Sequence, residues 1–395
     1  MASGQWSDDV AYAMTPFKLI SWPIGVWPLQ VYNIYSLIRC TLATCCAALV
    51  IVIPSFEVYL GCTDAGTKID CLMLACAGIL GMVKTLSFRI YARKMANNYG
   101  SAVNDYLTIE NTEERAIMRR HTFMGRVLCC VLICFSYFSC MMYVLNPFLS
   151  NNTNKQINIT NEDVMLEYPM PSKCAMKYFN APVSMYSIFC LMESIALFLT
   201  GTANQGNDAL FLNITLHVCG QVKILKNNFL DFDVKSPQIY DRFNVLINRH
   251  NYLIKLSREL AEVINFVLLI EFFLITILLC VLGFQFILAL KVNNIIVMTK
   301  SLMVQITFLL QLTLYCSIGN YLISQMEEIR LAVYQSAWYY FPAKLTRHLI
   351  FIIMRSDSPV SLQAGNFIVV NLATCISIIK ASFSYLSVLR VLVET

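Results

Sequence analysis

The chain has 395 residues, of which 57% are hydrophobic and only 13% are charged. Soluble domains carry about 25% charged residues, so this composition excludes an ordinary soluble protein and predicts an integral membrane protein. The formal net charge of +5 does not indicate a nucleic-acid partner, because the basic residues are sorted by membrane side.

Seven apolar stretches are long enough to cross a bilayer core of ~30 Å as helices. The second stretch is the weakest, because Lys84 and Arg89 interrupt it near its end. The sequence therefore predicts an all-α membrane protein with seven transmembrane helices. The crossings are predicted at residues 36–60, 70–90, 125–147, 181–201, 263–290, 299–324 and 365–390.

The distribution of Lys and Arg predicts how these crossings are oriented. The segments 84–126 and 201–262 contain eight and seven basic residues, whereas the segment 147–180 contains three. Loops rich in Lys and Arg stay on the cytoplasmic side of a membrane. The N-terminus is therefore predicted to be cytoplasmic and, after seven crossings, the C-terminus extracellular.

The segment 147–180, predicted to be extracellular, supports this orientation. It contains acceptor sequences for N-glycosylation at Asn151 and Asn158, within a polar run. Of the sixteen cysteines, only Cys62 and Cys174 fall in segments predicted to be extracellular. The sequence leaves open whether these two form a disulfide.

Apolar residues at helical spacing continue past several crossings into the cytoplasmic segments. They recur through 211–229 and 246–264, and a short helix is predicted at 343–354. The chain is accordingly divided into four parts. These are a cytoplasmic N-terminal segment (1–35), crossings one to six with helical cytoplasmic loops (36–324), cytoplasmic helices (325–364) and the seventh crossing (365–395).

The seventh crossing has two unlike faces when it is wound at about 100° per residue. Small, hydroxyl or short apolar side chains share one face: Val370, Ser377, Ala381, Ser384, Val388 and Leu392. Bulky apolar side chains share the other: Ile368, Leu372, Ile379, Phe383 and Leu386. A stripe of small residues suits either a tight helix–helix contact or a wall that faces water, and the pattern alone leaves both open.

No set of residues predicts catalysis, a metal site or a cofactor. The four histidines all fall in segments predicted to be cytoplasmic, without a nucleophile or ligand spacing beside them. Paired interrupted helices, which are typical of transporters, are not found. Glu193 is the one carboxylate well inside a predicted crossing, where it could serve function or bond to a neighbouring helix.

The last third of the chain carries a spaced set of residues that is specific as a constellation. The set is Gly319, Asn320, Glu327, Glu328, Ala332, Tyr334, Ser336, Trp338, Tyr339, Met354, Arg355, Pro359, Lys380, Ser382, Ser384 and Tyr385. This pattern resembles the insect odorant receptor family. The chain length, the seven crossings, the cytoplasmic N-terminus and the long 147–180 loop extend the resemblance over the whole chain.

The resemblance implies an odorant-gated, non-selective cation channel rather than an enzyme. Such a chain would be a tuning subunit that forms a heterotetramer with the obligate co-receptor, in the ciliary membrane of olfactory sensory neurons. The cytoplasmic helices would form the anchor where subunits meet, with Tyr334, Trp338 and Tyr339 packed there. The implied partners are the co-receptor, membrane lipid and a small hydrophobic volatile ligand, with no nucleic acid.

The resemblance also implies that the seventh helix lines the pore. Val388 and Leu392 fall at the family's gate positions, and both are apolar, as a dewetting gate requires. The pore wall would be formed by Ser377, Ala381 and Ser384. Lys380 would repel cations in the pore, so it is expected to turn toward a neighbouring helix or an inner water-filled region.

In that family the ligand site lies among the outer halves of crossings two to six. Aromatic and Met side chains there suit an adaptable, mainly dispersive pocket for a small volatile molecule. Each candidate also fits ordinary helix packing, because the sequence does not fix which faces point inward. The candidates are Met73, Ala77, Tyr137, Met141, Tyr143, Met185, Tyr186, Phe189, Gln305 and Phe308.

Two chemoreceptor classes remain as alternatives. A seven-helix receptor of the G-protein-coupled type requires an extracellular N-terminus, contrary to the predicted orientation. A gustatory-type channel would carry a different ending, since Val391 and Leu392 stand where that family has Gln and Phe.

Overall fold

The structure is a computed structural model that describes residues 8–61, 64–155, 167–180, 182–234 and 237–394. Within these ranges the regular secondary structure is helical apart from one short β-hairpin. The helices are α1 (Asp8–Ser21), α2 (Ile34–Leu60), α3 (Ala65–Ile90), α4 (Ala92–Thr108), α5 (Thr112–Lys155), α6 (Lys173–Tyr178), α7 (Tyr186–Leu230), α8 (Ile239–Val292), α9 (Ile295–Gln335), α10 (Ala343–Ser356) and α11 (Leu372–Glu394). The hairpin pairs β1 (Gln363–Ala364) with β2 (Ile368–Val369).

Seven of these helices are long and apolar enough to span a membrane: α2, α3, α5, α7, α8, α9 and α11. The predicted all-α membrane fold with seven crossings is therefore confirmed. Helices α7 and α8, with 45 and 54 residues, are much longer than the ~20 residues that a bilayer needs. In both helices, apolar residues at helical spacing continue past the membrane-spanning part. These residues pack in the ends of the bundle.

Helix α7 lies at the centre of the bundle, where it packs against α1, α2, α3, α5, α8 and α9. Its residues from Gln205 to Gln221 are all buried. Buried polar groups are normally paired inside the protein. Accordingly, Asn213 contacts Tyr99, and His217 bonds to Asp105 over 3.0 Å.

Two buried carboxylates fasten the segment 167–178 to one end of the bundle, which we call the α6 end. Glu57 on α2 accepts hydrogen bonds from the backbone N–H groups of Cys174 and Ala175, at 3.0 and 2.9 Å. Glu193 on α7 accepts bonds from the Ser172 hydroxyl at 2.7 Å and from the backbone N–H of Met170 at 3.0 Å. The intramembrane carboxylate of Glu193 therefore holds this segment in place.

Of the two cysteines predicted to be extracellular, Cys62 and Cys174, the structure describes only Cys174. Cys174 is disulfide-bonded, whereas the other described cysteines are free. Cys62 lies outside the described residues.

The opposite end, which we call the α10 end, is built from α4, the long extensions of α7 and α8, and α10. Leu345, Leu349 and Ile352 of α10 are buried against the bundle, and α10 packs chiefly on α9. The other face of α10 leaves Ile350 and Phe351 exposed. This helix therefore has an apolar surface that the described part of the chain does not cover.

The last helix begins at Leu372 and not at Gly365, so the predicted start is wrong. Gly365 and Asn366 both have φ near +64°, a left-handed conformation that ends regular helix and suits a hairpin turn. Val370 follows the hairpin and is fully buried. A Cβ on Gly319 would lie 2.3 Å from the Val370 carbonyl oxygen, so only glycine permits this approach.

Candidate functional site

A small cavity lies between α2, α3, α5, α7 and α9, in the half of the bundle toward α6. Its volume is about 100 Å³, and most of its wall is apolar. Leu74, Leu80 and Leu197 contribute to this wall together with Val50 and Val304. We call it the inner cavity.

Four of the ten predicted ligand-site residues line the inner cavity: Met73, Ala77, Tyr143 and Phe308. They come from three helices, α3, α5 and α9, that meet only in the folded chain. Apolar residues occur all around these helices, so the sequence does not indicate which face points inward. It therefore suggests these four residues as candidates but does not distinguish them from neighbouring apolar residues.

The other six candidates lie elsewhere. The Tyr137 hydroxyl bonds to Thr202 at 2.9 Å, and Tyr186 donates to the Glu167 carbonyl at 2.6 Å. Gln305 lies between helices, near Gly283 of α8. Met141 and Met185 are 42% and 45% exposed, and Phe189 is half-buried outside the cavity wall.

Sequence reasoning missed the polar part of the cavity wall. Thr200, Asn204 and Gln205 on α7 and Gln311 on α9 all line it. The sequence places Asn204 and Gln205 in a cytoplasmic segment, because the predicted fourth crossing ends at residue 201. Polar residues that interrupt a long helical pattern were the available signal.

Four linked residues, of which Tyr143 lines the inner cavity, lie on its side toward the α6 end, and we call them the polar roof. One Asp70 oxygen accepts hydrogen bonds from the Tyr143 hydroxyl at 3.3 Å and from the Gln285 amide at 2.9 Å. The other Asp70 oxygen pairs with Lys300. Tyr143 borders both the inner cavity and an open cleft of about 790 Å³ beyond the roof.

The far wall of the inner cavity touches a buried group of charges. Lys84 lies 2.7 Å from an Asp208 oxygen and 2.9 Å from a Glu271 oxygen, and all three side chains are at most 3% exposed. Gln311 and Tyr315 both donate hydrogen bonds to Asp208. We call Lys84, Asp208 and Glu271 the ion triad, and it explains why a lysine can occupy the second crossing.

Helix α11 packs on the bundle through one face only. The Ser382 hydroxyl donates to the Thr276 carbonyl of α8 at 3.2 Å, and Leu386 lies against Gly283. The bulky face predicted from the sequence is only partly the packed face. Ile379 is half-buried, but Phe383 is 60% exposed.

The residues predicted to line a pore lie largely on the open side of α11. Ser377 and Ser384 are exposed, Val388 is 58% exposed, and Ala381 is half-buried. The side chain of Leu392 lies outside the described residues. Lys380 is also exposed, so the neighbouring helix or water-filled region expected beside it is not formed by the described part of this chain.

The predicted anchor residues lie at the junction of α9 and α10. Tyr334 and Tyr339 are each 66% exposed, and Trp338 is 39% exposed. Of the predicted glycosylation sites, Asn158 and the side chain of Asn151 lie outside the described residues. Within the described ranges, no group of His, Cys, Asp and Glu side chains could hold a metal ion.

Comparisons of sequence point to one family. A family model described as 7tm odorant receptor matches residues 67–383. Odorant receptor 67c of Drosophila melanogaster is 25% identical over 198 residues, which span 49% of this chain and 48% of that protein. Odorant receptor 13a of the same fly is 22% identical over 340 residues, which span 79% of this chain and 77% of that protein.

The fold agrees with a solved structure. The insect olfactory receptor OR5 from Machilis hrabei, in complex with eugenol, matches with a TM-score of 0.77 over 98% of this chain and 100% of that chain. Because only 16% of aligned residues are identical, this likeness establishes the fold alone. The family model covers well over half of the sequence. The chain therefore belongs to the odorant receptor family of multi-pass membrane proteins.

Proposed function

We propose that this receptor is the tuning subunit of an odorant-gated, non-selective cation channel. The open face of α11 carries the proposal. Lys380 lies exposed near the middle of this membrane-spanning helix, flanked by the exposed Ser377 and Ser384. A lysine at the centre of a helix costs about 3 kcal/mol when it meets lipid, so water or protein is favoured on this side. Helical spacing puts Lys380 about 80° from the Val388 line, so its charge lies away from the proposed pore axis.

A pore formed by several subunits satisfies this requirement. If α11 helices surround a common axis, Ser377, Ala381 and Ser384 line the path, and Val388 and Leu392 form an apolar constriction. Such a constriction blocks ions by excluding water, and it opens when the side chains withdraw. The C-terminal end of α11 then lies at the extracellular mouth, and the N-terminus of the chain is cytoplasmic.

The inner cavity is the proposed odorant site. Its wall is apolar with a few polar groups, which is typical of sites for small organic ligands. Met73, Ala77, Tyr143 and Phe308 are proposed to contact the ligand. An apolar cavity of roughly 150 Å³ can hold a benzene molecule, so a cavity of this order suits a compact volatile compound.

Contacts between the cavity and α11 supply a route for gating. Gln311 in the cavity wall bonds to Asp208, which pairs with Lys84, which in turn pairs with Glu271 of α8. Helix α8 also contacts α11, through Thr276 and Ser382. A ligand that binds one arrangement of these helices more tightly shifts the population toward it.

The exposed aromatic residues at the α10 end are the proposed contact with the co-receptor. Tyr334, Trp338 and Tyr339 are exposed, and so are Ile350 and Phe351 of α10. An apolar surface of this kind is typical of sites where subunits associate. We place the complex in the ciliary membrane of olfactory sensory neurons, glycosylated at Asn151 and Asn158 on its extracellular side.

Whole-cell recording tests the proposal. Cells that express the chain together with the co-receptor are exposed to a panel of volatile compounds, and surface expression of both subunits is measured. We expect an odorant-evoked current carried by several cations, which is absent when either subunit is omitted. Normal surface expression without any evoked cation current would contradict the channel function.

Two alternative receptor types are separated by further measurements. A receptor of the G-protein-coupled type would expose an N-terminal tag on intact cells, whereas our orientation exposes only a C-terminal tag. A gustatory-type channel would give ligand-evoked current without the co-receptor.

A further inference from the structure

The inner cavity contains a cluster of hydrogen-bond acceptors on one helix. Thr200, Asn204 and Gln205 of α7 all line it. Thr200 Oγ1, Asn204 Oδ1 and Gln205 Oε1 are buried and have no hydrogen-bond partner in the described part of the chain. The residues Thr200 and Gln205 are only 3% and 4% exposed. Buried polar atoms are normally paired, so three unpaired oxygens around one cavity indicate a missing donor.

Several donors around the same cavity are already used within the protein. The Asn204 amide donates to the carbonyls of Ala77 and Thr200, at 2.9 and 3.2 Å. The Gln311 amide donates to Asp208 at 2.6 Å, and the Thr307 hydroxyl to the Met303 carbonyl at 2.9 Å. These bonds occupy the side-chain donors of Asn204, Thr307 and Gln311, whereas the Asn204 and Gln205 oxygens have no donor in the described part of the chain.

The bonds of Asn204 also fix the orientation of its amide. Both of its partners are backbone carbonyl oxygens, which only accept, so the atom facing them must be nitrogen. The oxygen is therefore the atom left without a partner. The Thr200 hydroxyl can accept or donate, but an amide oxygen can only accept.

We infer that the odorant of this receptor carries a hydroxyl group that donates to the α7 acceptors, on an apolar body of about one ring or one short chain. The inference deepens the proposed odorant site and rests on the inner cavity being that site. It predicts that small alcohols and phenols are preferred over ethers and hydrocarbons of the same shape. An ether oxygen would face the acceptors without offering a proton, and its bond to water would be lost on binding.

Matched pairs of odorants test this preference. Benzyl alcohol is compared with benzyl methyl ether, and phenol with anisole, by recording from cells that express the receptor and the co-receptor. We expect each hydroxyl compound to act at a half-maximal concentration roughly threefold to tenfold lower than that of its ether, the range set by one neutral hydrogen bond. Equal responses to both members of each pair would overturn the inference.

Variants locate the preference on α7. Thr200→Val and Gln205→Met remove acceptors with little change of shape, and each is expected to reduce the difference between alcohol and ether. Thr202→Val is the matched control, because Thr202 bonds to Tyr137 and Phe198 and does not line the cavity. A preference that survives both cavity variants at normal surface expression would contradict the assignment.

Binding to purified receptor separates this inference from the channel function. The thermal unfolding of the detergent-solubilised chain is measured with each compound of the two pairs. A larger rise in Tm with the alcohols, lost in Thr200→Val, would support the inference even if no current were recorded. A rise of equal size for alcohol and ether would refute it even if the channel opened.

Discussion

Gln311 and Asp208 join the wall of the inner cavity to the ion triad, because the Gln311 side-chain nitrogen donates to an Asp208 oxygen over 2.6 Å. The triad contains one lysine amine and two carboxyl groups, all deeply buried, on α3, α7 and α8. A buried charge is tolerated only while its partners remain in place. A change at Gln311 can therefore alter the contacts of Glu271 through Asp208 and Lys84.

Removing the lysine of the triad is expected to destabilise the receptor strongly. Lys84→Met leaves Asp208 and Glu271 buried as unpaired carboxylates, and breaking such a pair costs about 3–5 kcal/mol. We expect a large fall in surface expression and in the Tm of the purified protein. The triple variant Lys84→Met, Asp208→Asn, Glu271→Gln removes every charge of the triad and should recover most of the loss.

An exposed ion pair provides the control for this variant. Lys94 pairs with Glu262, and their side chains are 36% and 60% exposed. Exposed pairs contribute about 0–1 kcal/mol, so Lys94→Met should change the Tm little. If Lys84→Met were as harmless as Lys94→Met, the triad would not be the structural element described above.

The polar roof is expected to control the rate at which odorant enters the inner cavity. Lys300→Met removes the ion pair with Asp70 and leaves Tyr143 held by fewer contacts. Current should then rise and decay faster after a rapid odorant pulse, while the half-maximal concentration changes less, because both rates increase. Lys68→Met, at an exposed position on α3, the helix that carries Asp70, serves as the control. Unchanged kinetics in Lys300→Met would contradict the role of the roof as a barrier.

A polar side chain at the proposed gate is expected to let ions leak. Val388→Ser makes the constriction easier to wet, so basal current without odorant should increase when the variant is expressed with the co-receptor. Val292→Ser, at a position 77% exposed where α8 ends, is the matched control and should behave as wild type. If Val388→Ser altered neither basal current nor ion selectivity, α11 of this subunit would not form the constriction.

The sequence predicted those parts of the fold that depend on local patterns. Apolar stretches of sufficient length gave the seven crossings, and helical spacing gave the extension of α8 and the short helix near Pro342. The start of α11 was missed because a residue such as Val370 fits a membrane helix equally well. Its actual position depends on the left-handed conformation at Gly365 and Asn366, which apolar periodicity does not indicate.

The site could be predicted only in part, because it is assembled from distant segments. Lys84 weakened the second crossing in the sequence, and its partners lie 124 and 187 residues away. Met73 and Phe308 have suitable chemistry for a cavity, but Met141 and Met185 have the same chemistry and lie exposed. Only packing against α7 separates these two groups.

The network around Asp105 at the α10 end is expected to make stability depend on pH. Burial disfavours the charged form of Asp105, but hydrogen bonds and charges from His217 and Arg249 outweigh it and hold the pKa of Asp105 below its ordinary value. A carboxyl group whose pKa is lowered by folding contributes stability above its unfolded pKa of about 4, and this contribution is lost as the pH falls through the folded pKa. The Tm of the purified receptor should therefore decrease in this acidic range.

Comparison with Asp105→Asn isolates this contribution. The variant keeps the shape of the side chain but loses its charge, so at pH 7 it should be less stable by about 1.5–3 kcal/mol, the range for hydrogen bonds to charged groups. The difference in Tm between wild type and variant should shrink as the pH is lowered below about 4, where Asp105 of the unfolded chain is already protonated. Asp241→Asn is the control, since Asp241 is exposed. A difference that stayed constant across this range would mean that the Asp105 charge does not stabilise the α10 end.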